Sequence, residues 1–180
     1  MKSFQVSRRS FLKRCSVVAA LTGLPLWFVE RQLVAAEETS KKKRPSPNAR
    51  PGVALIGGGS QGTRDAQNAA NWGEVVAVCD VDRKQAAASA EKLTVEGKVP
   101  AIYSDFRQVL ARGDVHVIVN GTPDHWHTLV NLGAARAKKD VYSEKPLTLT
   151  IDEGRRLVRA VGRSGIVLQT GTQQRSSQRF

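Results

Sequence analysis

A glycine-rich turn follows the first apolar run after Pro51, and it constrains the fold more than any other feature of the chain. Val53–Ile56 has the length and composition of a short buried strand, and the sequence GGGSQG follows at once, with a helical stretch after it. In this pattern Gly57 permits a tight turn, Gly59 lets the backbone approach a phosphate, and Gly62 allows close packing of helix on strand. The N–H groups that open the helix then face the phosphates. This context predicts a dinucleotide site, although glycines at this spacing also occur in purely structural turns.

A second predicted strand supports the same interpretation. The apolar run Glu74–Cys79 ends in Asp80, about twenty residues after the glycine turn, where a carboxylate accepts hydrogen bonds from an adenosine ribose. An acid after a strand also serves as a helix cap, and Asp82 is the natural alternative for that role. The carboxylate of Asp80 favours NAD as cofactor. NADP remains open, because Arg83 and Lys84 lie beside these acids and would accommodate a 2′-phosphate.

Beyond Pro51 the chain alternates short apolar runs with amphipathic stretches, a pattern typical of parallel sheets with right-handed crossovers. Strands are predicted near 53–57, 75–80, 115–120, 140–143 and 166–169. Helices are predicted near 62–71, 83–94, 105–111, 125–137 and 151–163, with Asp105 and Asp152 at helix starts as caps or dipole partners. The predicted fold class is α/β, a Rossmann-type doubly wound parallel sheet. The 180 residues suffice for one well-packed domain but are few for two.

The net charge of +12 is concentrated near the N-terminus. Residues 1–36 hold six Lys or Arg and one acid, and residues 37–51 are a charged, proline-punctuated stretch that predicts a solvated linker. From Pro51 onward 17 basic residues face 13 acidic ones, with no basic stripe interleaved with aromatic residues. This distribution argues against a nucleic-acid partner.

The basic N-terminus has the pattern of an export signal. Ser7–Lys13, with the sequence SRRSFLK, matches a twin-arginine motif, and the apolar run Cys15–Val29 is too short to span a bilayer. Val34–Ala36 then offers small residues for cleavage before Glu37. Residues 1–36 are therefore predicted to be a signal peptide, recognised by the twin-arginine export machinery, that directs the protein to the periplasm or cell envelope. An uncleaved amphipathic anchor is the alternative.

Removal of that signal would leave Cys79 as the single cysteine, since Cys15 departs with it. Cys79 lies on a predicted apolar strand, where a free thiol packs as a small hydrophobic group.

Polar and aromatic residues cluster after the third predicted strand. Thr122–His127, with the sequence TPDHWH, falls at the carboxyl edge of the sheet, where doubly wound folds bind ligands. No further ligand at useful spacing completes a metal shell around His125 and His127, so no metal is predicted. Trp126 either packs against the fold or lies against a ribose or nicotinamide.

The next predicted strand leads to Ser143-Glu144-Lys145-Pro146 at the same edge. The Lys-Pro bond is a candidate for a cis peptide because proline lowers the cis penalty to about 0.5–1 kcal/mol. An ammonium group beside a nicotinamide would hydrogen-bond a substrate hydroxyl and assist its proton transfer, which makes Lys145 the candidate catalytic residue. A surface Glu-Lys pair before a helix is the alternative.

The combined motifs resemble those of the glucose-fructose oxidoreductase and inositol dehydrogenase family (Gfo/Idh/MocA), and in particular its exported twin-arginine members. The resemblance rests on Gly57-x-Gly59-x-x-Gly62, Cys79-Asp80-Val81-Asp82, Thr122-Pro-Asp-His-Trp-His127, Glu144-Lys-Pro-Leu147 and Gly171-Thr-Gln-Gln-Arg175. It implies a lysine in contact with nicotinamide and substrate at Lys145. The predicted cofactor-binding residues are Gly57, Gly59, Ser60, Gln61, Gly62, Asp80, Thr122, Pro123, His125, Trp126, His127, Glu144 and Lys145.

Some positions depart from the family pattern. Asn120-Gly121 replaces an apolar residue followed by alanine, Lys138 stands where a helix-ending glycine is common, and Ser143 replaces a frequent cysteine. These departures lie beside the predicted site and leave its named groups in place.

The resemblance also implies a second α/β domain that carries substrate contacts and an oligomer interface. Residues 52–170 would be the NAD(P)-binding domain, and 171–180 the start of a truncated second domain, so that domain is expected to be absent. The sequence is then either a fragment or a cofactor-binding remnant, and a homo-oligomer is expected only where the second domain exists.

The implied activity is nicotinamide-dependent oxidation or reduction of a sugar, polyol or related carbohydrate. The alternatives are an NAD-dependent glycoside hydrolase of the same superfamily and a non-catalytic dinucleotide-binding remnant.

Overall fold

Strands and helices alternate along residues 50–176, the part of the chain that the computed structural model describes. The predicted signal peptide, residues 1–36, and residues 37–49 lie outside the described residues, as do 177–180. The strands are β1 Gly52–Ile56, β2 Glu74–Cys79, β3 Ala101–Tyr103, β4 Val117–Asn120, β5 Asp140–Ser143 and β6 Leu168–Thr170. The helices are α1 Ser60–Ala69, α2 Arg83–Lys92, α3 Phe106–Leu110, α4 Asp124–Arg136 and α5 Ile151–Ser164, followed by a 3₁₀ turn at Gln173–Ser176.

All six strands form one parallel sheet in the order β3-β2-β1-β4-β5-β6. The chain moves outward from β1 to β3 and then crosses back to β4, so the strand order reverses between β1 and β4. The register aligns the last residues of the central strands, with Ile56 opposite both Cys79 and Asn120, and Asn120 opposite Ser143. The loops after these strands therefore meet at one edge of the sheet, beside the point of reversal where such folds bind ligands.

Helices cover both faces of the sheet, which confirms the predicted doubly wound α/β class. Ala66 of α1 and Ala86 and Ala90 of α2 pack on one face with Leu55 and Val78. The other face packs against apolar side chains of α3 and α4, namely Val109, Leu110, Val130 and Ala134. Because the central strands are buried on both sides, they consist of continuous apolar residues without polar alternation.

The structure shows which acidic residues cap the N-termini of the helices. Asp82 is the N-cap of α2 and accepts a hydrogen bond from Lys84 N at 2.8 Å, and Asp105 caps α3 as predicted. Asp152 lies instead in the first turn of α5, because Thr150 is the N-cap there and forms a capping box with Glu153.

The C-terminus of α4 holds an unusual residue in a left-handed conformation. Lys138 has φ +58°, and the N–H groups of Lys138 and Lys139 bond to the carbonyls of Ala135 and Ala134. This pair of bonds defines a Schellman motif, in which glycine normally occupies the left-handed position. The Lys138 ammonium donates to the carbonyl of Ser164 at the end of α5, at 2.7 Å.

The structure contains one strand, β3, that the sequence pattern did not predict. This strand has three residues at the sheet edge, and its central residue Ile102 is 44% exposed, so it lacks a long apolar run. The remaining strands and α-helices were predicted, with no end shifted by more than two residues. None of the helices within residues 50–176 is long and apolar enough to span a membrane.

Candidate functional site

The glycine turn between β1 and α1 brings three backbone segments into contact. Gly57 has φ +93°, and a Cβ there would lie 2.5 Å from the carbonyl carbon of Gly121. A Cβ on Gly62 would collide with the Gly57 carbonyl oxygen, and one on Gly121 would lie 2.5 Å from Gly62 Cα. Glycine at these positions therefore lets α1 pack directly on the loops after β1 and β4. The sequence explained Gly57 and Gly62 but not Gly121, whose partners come from distant parts of the chain.

Gly59 differs from these glycines because a Cβ there would meet no atom within 4 Å. Gly59 is also the N-cap of α1 and supplies no side-chain acceptor, and the first turn contains no acid. The opening N–H groups of an α-helix have no acceptor within the helix. Open space in front of uncapped N–H groups fits the pyrophosphate of a dinucleotide. Ser60 and Gln61 lie in this first turn, as predicted.

Asp80 anchors the same turn from β2. Its carboxylate accepts from Gly58 N at 2.7 Å through one oxygen and from Asp82 N at 2.9 Å through the other. The Gly58 carbonyl in turn accepts from Ser89 Oγ at 2.7 Å. A carboxylate has about four acceptor positions, so Asp80 retains one on each oxygen for ribose hydroxyls. Asp80 is thus positioned for the predicted ribose contact, and Asp82 takes the capping role.

A cavity of about 270 Å³ opens beside Asp80. Its wall is mostly apolar and includes six residues of the predicted site: Gly57, Asp80, Thr122, Pro123, His125 and Trp126. Trp126 is 40% exposed and lies edge-on to Phe106, with ring centroids 6.2 Å apart. The structure therefore places Trp126 at the Asp80 end of the site, where an adenosine would lie, and away from the Lys145 end.

Cys79 also lines this cavity, at the end of β2. It is buried, and burial together with Asp80 raises the pKa of its thiol to about 12. The thiol is therefore neutral at physiological pH and packs as a small hydrophobic group, as predicted.

His127 faces inward and connects two loops. It is 1% exposed, with Nδ1 2.6 Å from the Pro146 carbonyl oxygen and Nε2 2.7 Å from the Thr122 carbonyl oxygen. Because a carbonyl oxygen only accepts, both contacts are hydrogen bonds only when both ring nitrogens carry protons. His127 thus positions the loops after β4 and β5, while His125 is exposed. Among residues 50–176, no three His, Cys, Asp or Glu side chains are grouped so that they could hold a metal ion.

A buried polar network explains two departures from the family pattern. Asn120 Oδ1 accepts from Thr122 Oγ1 at 2.7 Å, and Asn120 Nδ2 donates to Asn131 Oδ1 at 2.8 Å. Asn131 Nδ2 donates to Ser143 Oγ at 3.0 Å. Asn120 and Ser143 therefore fix the ends of β4 and β5 relative to α4. No local sequence pattern indicated this network, because Asn120, Asn131 and Ser143 lie 11 to 23 positions apart.

The opposite end of the site is built by Glu144, Lys145 and Pro146. The Lys145–Pro146 peptide bond is cis, as predicted. Glu144 and Lys145 line a cavity of about 520 Å³ with Gln61 and the segment Gly171–Arg175. Lys145 is exposed, and within residues 50–176 its ammonium has no hydrogen-bond or ion-pair partner. The ammonium is thus available to a ligand in this cavity.

Asp65 is a site residue that the sequence analysis missed. It lies on α1, is 8% exposed, and has its carboxyl group beside that of Glu144. Burial, followed by the charge of Glu144, raises the pKa of Asp65 to about 6. The only sequence signal was an acid on the apolar side of a short helix, next to Ala66.

Comparison with known families identifies this arrangement. Residues 52–172 match the model of GFO_IDH_MocA, described as an oxidoreductase family with an NAD-binding Rossmann fold. The chain belongs to the Gfo/Idh/MocA family. Its described residues form an NAD-binding Rossmann domain, in which the glycine turn, Asp80, Thr122–His127 and Glu144–Lys145 meet at one sheet edge, as predicted.

Known members of the Gfo/Idh/MocA family match the chain over part of their length. Inositol 2-dehydrogenase of Salmonella typhimurium is 32% identical over 114 residues, which cover 63% of this chain and 32% of that protein. A glycosyl hydrolase family 109 protein of Shewanella pealeana is 27% identical over 165 residues, covering 83% of this chain and 35% of that protein. The chain thus spans about a third of the length of these relatives.

Solved structures share the fold. Scyllo-inositol dehydrogenase of Lactobacillus casei, crystallised with NAD(H) and scyllo-inositol, superposes with a TM-score of 0.65 at 22% identity, over 72% of this chain and 38% of that one. An NAD binding oxidoreductase of Klebsiella pneumoniae gives a TM-score of 0.61 at 27% identity, over 69% and 35%.

Proposed function

We propose that the chain is the cofactor-binding part of an NAD-dependent oxidoreductase that acts on a polyol, sugar or related carbohydrate. The observation that carries the proposal is the continuity of the site. An apolar cavity beside Asp80, the uncapped start of α1 and the cavity beside Lys145 follow one another along the sheet edge. This order matches the adenosine, pyrophosphate and nicotinamide of NAD. The inositol dehydrogenases among the relatives support a cyclic polyol as substrate.

NAD supplies the hydride acceptor when it is bound. Residues of this chain would position the cofactor and accept the hydroxyl proton of the substrate. Asp80 would hold the adenosine ribose, which favours NAD over NADP because a 2′-phosphate would meet its carboxylate. Lys145, exposed and unpaired within residues 50–176, would in its neutral amine form accept the proton of the substrate hydroxyl and become an ammonium, as the carbinol carbon passes its hydride to the nicotinamide.

The test combines binding and turnover. Calorimetry should show NAD binding to the purified protein, and absorbance at 340 nm should report NADH formation with a panel of inositols and aldoses. Lys145→Ala should lower turnover by about 100-fold or more while the Kd for NAD stays within a few-fold. Lys92→Ala, on the exposed end of α2, is the matched control and should change neither. Unchanged turnover in Lys145→Ala would refute the assignment of Lys145, and NAD binding without turnover on any substrate would favour a non-catalytic remnant.

The second candidate is an NAD-dependent glycoside hydrolase. The match to the Shewanella family 109 protein covers 83% of the chain, more than residues 52–180 can supply, so the similarity extends N-terminal to Gly52. Two further family 109 proteins match as well. Release of sugar from a glycoside, dependent on NAD but without net NADH at 340 nm, would identify this activity.

We also propose export through the twin-arginine route, supported by the sequence SRRSFLK at residues 7–13. Replacement of Arg8 and Arg9 by lysine should retain the protein in the cytoplasm, as measured by cell fractionation and immunoblotting. Unchanged export of this variant would refute the proposal.

A further inference from the structure

Two carboxyl groups meet beneath the Lys145 end of the site. Asp65 projects from α1 and Glu144 follows β5, and they are 8% and 5% exposed. Gln61, which donates a hydrogen bond to Asp65, lines the same cavity as Glu144, and the charge of Glu144 acts on Asp65. Two adjacent carboxylates that are both ionised and buried repel each other strongly.

The hydrogen bonds around the pair leave one oxygen without a donor. Asp65 Oδ1 accepts from Gln61 Nε2 at 3.0 Å, and the two oxygens of Glu144 accept from Gln173 Nε2 at 3.2 Å and from Lys145 N at 3.1 Å. Asp65 Oδ2 is buried and has no partner among residues 50–176. A proton carried by one carboxyl and donated to the other would satisfy both groups, whereas two ionised carboxylates leave this oxygen unsatisfied.

The charged groups around the pair do not neutralise it. Within residues 50–176 neither acid forms an ion pair. On α1, Arg64 is exposed and only partly offsets the burial of Asp65. On β5, Tyr142 adds no positive charge, and burial together with the two carboxylates raises its pKa. Lys145 and Arg175 line the neighbouring cavity and are both exposed to solvent.

We propose that Asp65 and Glu144 share one proton, and that the charge of this carboxyl pair makes the relative affinity for oxidised and reduced NAD depend on pH. Asp65 is then a positioning residue that acts through Glu144, the group that holds the backbone of Lys145. The inference rests on the proposed function, because it places the nicotinamide at the Lys145 end of the site.

The direction of the effect follows from charge. The nicotinamide ring is positively charged in NAD⁺ and neutral in NADH. When the pair loses its shared proton it gains a negative charge, which attracts the oxidised ring and leaves the reduced ring almost unaffected. The ratio Kd(NAD⁺)/Kd(NADH) should therefore fall as the pH rises through about 6, the value to which the pKa of Asp65 is raised. Groups that contact the shared adenosine half, such as His125, affect both Kd values alike and cancel in the ratio.

The binding experiment measures Kd for NAD⁺ and NADH by calorimetry at pH 5.0, 6.0 and 7.5. In the wild-type protein the ratio should fall about 3- to 10-fold across this range, as expected for unit charges separated by several ångströms near a protein surface. In Asp65→Asn the ratio should vary less than 2-fold. Asp152→Asn, an exposed acid on α5, is the matched control and should retain the wild-type profile. A wild-type ratio that does not change with pH, or an Asp65→Asn variant that keeps the wild-type profile, would overturn the proposal.

A second measurement tests the shared proton without a cofactor. Carboxyl ¹³C NMR of the full chain should show Asp65 titrating near pH 6, with a change in the Glu144 signal in the same step. Titration of Asp65 near pH 4, or a Glu144 signal that does not change when Asp65 titrates, would overturn the proposal, whether or not the Asp65→Asn variant folds. If the protein binds neither NAD⁺ nor NADH, the proposed function fails and the cofactor part of this inference fails with it. The NMR titration then decides the shared proton separately.

Discussion

Substitution of Gly59 by alanine should separate cofactor binding from stability. Gly59 has φ −64° and ψ 174°, which alanine adopts without strain, and a Cβ there would meet no atom within 4 Å. Alanine also reduces the conformational entropy of the unfolded chain. The free energy of unfolding should therefore stay constant or rise by up to about 1 kcal/mol.

The same methyl group would occupy the space from which a pyrophosphate approaches the start of α1. Loss of one hydrogen bond from a backbone N–H to a charged phosphate costs about 1.5–3 kcal/mol, and each 1.4 kcal/mol is a factor of ten in Kd. We therefore expect Gly59→Ala to weaken NAD binding by about 10- to 100-fold in calorimetry. Urea unfolding of the same preparation measures its stability.

Two glycine variants serve as controls for this experiment. Gly162→Ala, on the exposed side of α5, adds a methyl group in open space and should leave NAD binding unchanged. Gly62→Ala should lower the free energy of unfolding by about 1–3 kcal/mol, because its methyl group collides with the Gly57 carbonyl. If Gly59→Ala bound NAD as tightly as the wild type, the phosphate could not lie at this turn. If it unfolded as readily as Gly62→Ala, Gly59 would serve packing.

Three further substitutions test other parts of the structure. Lys138→Gly should raise the free energy of unfolding by about 0.5–1 kcal/mol in urea, because relief of the left-handed strain exceeds the lost bond to Ser164, whereas Lys138→Ala should give no gain. Folding raises the pKa of Asp65 from 3.8 to about 6. Ionisation of Asp65 is therefore less favourable in the folded state, and the free energy of unfolding falls as the pH rises between these values. Asp65→Asn should thus gain about 1–3 kcal/mol relative to the wild type above pH 6 and little near pH 4, as measured by urea unfolding across this range. Asp80→Asn should weaken NAD binding about tenfold and NADP binding less, whereas equal losses in calorimetry would mean that Asp80 acts only through its bond to Gly58.

Local sequence patterns carried much of the fold prediction. Continuous apolar runs such as Val53–Ile56 predicted central strands, because residues buried on both faces of a parallel sheet show no polar alternation. Asp82 and Asp105 marked the starts of their helices correctly. The order of motifs also placed the residues of the candidate site at one edge, since all parallel strands end on the same side. β3 was not predicted, because three residues at a sheet edge are too few to form a recognisable pattern.

The contacts that shape the site depend on distances that local patterns do not encode. Glu144 is 79 positions from Asp65, and their proximity arises only after α1 packs on β1 and β4 and β5 pairs with β4. Asn120 looked like a departure from an apolar position, yet its amide connects the ends of two strands through Asn131. Position 121 requires glycine because the backbone of Gly62 lies against it, a contact that no local pattern indicates.

The inward-facing imidazole of His127 has a mechanical consequence. When both of its nitrogens carry protons, one ring holds the carbonyl of Thr122, in the loop beside the Asp80 cavity, and the carbonyl of Pro146, in the loop that carries Lys145. A displacement of either loop is therefore transmitted to the other through a single side chain. A molecule that orders one loop lowers the entropic cost of ordering the other. The two halves of a dinucleotide would thus bind cooperatively, and the intact molecule would bind more tightly than its separate fragments suggest.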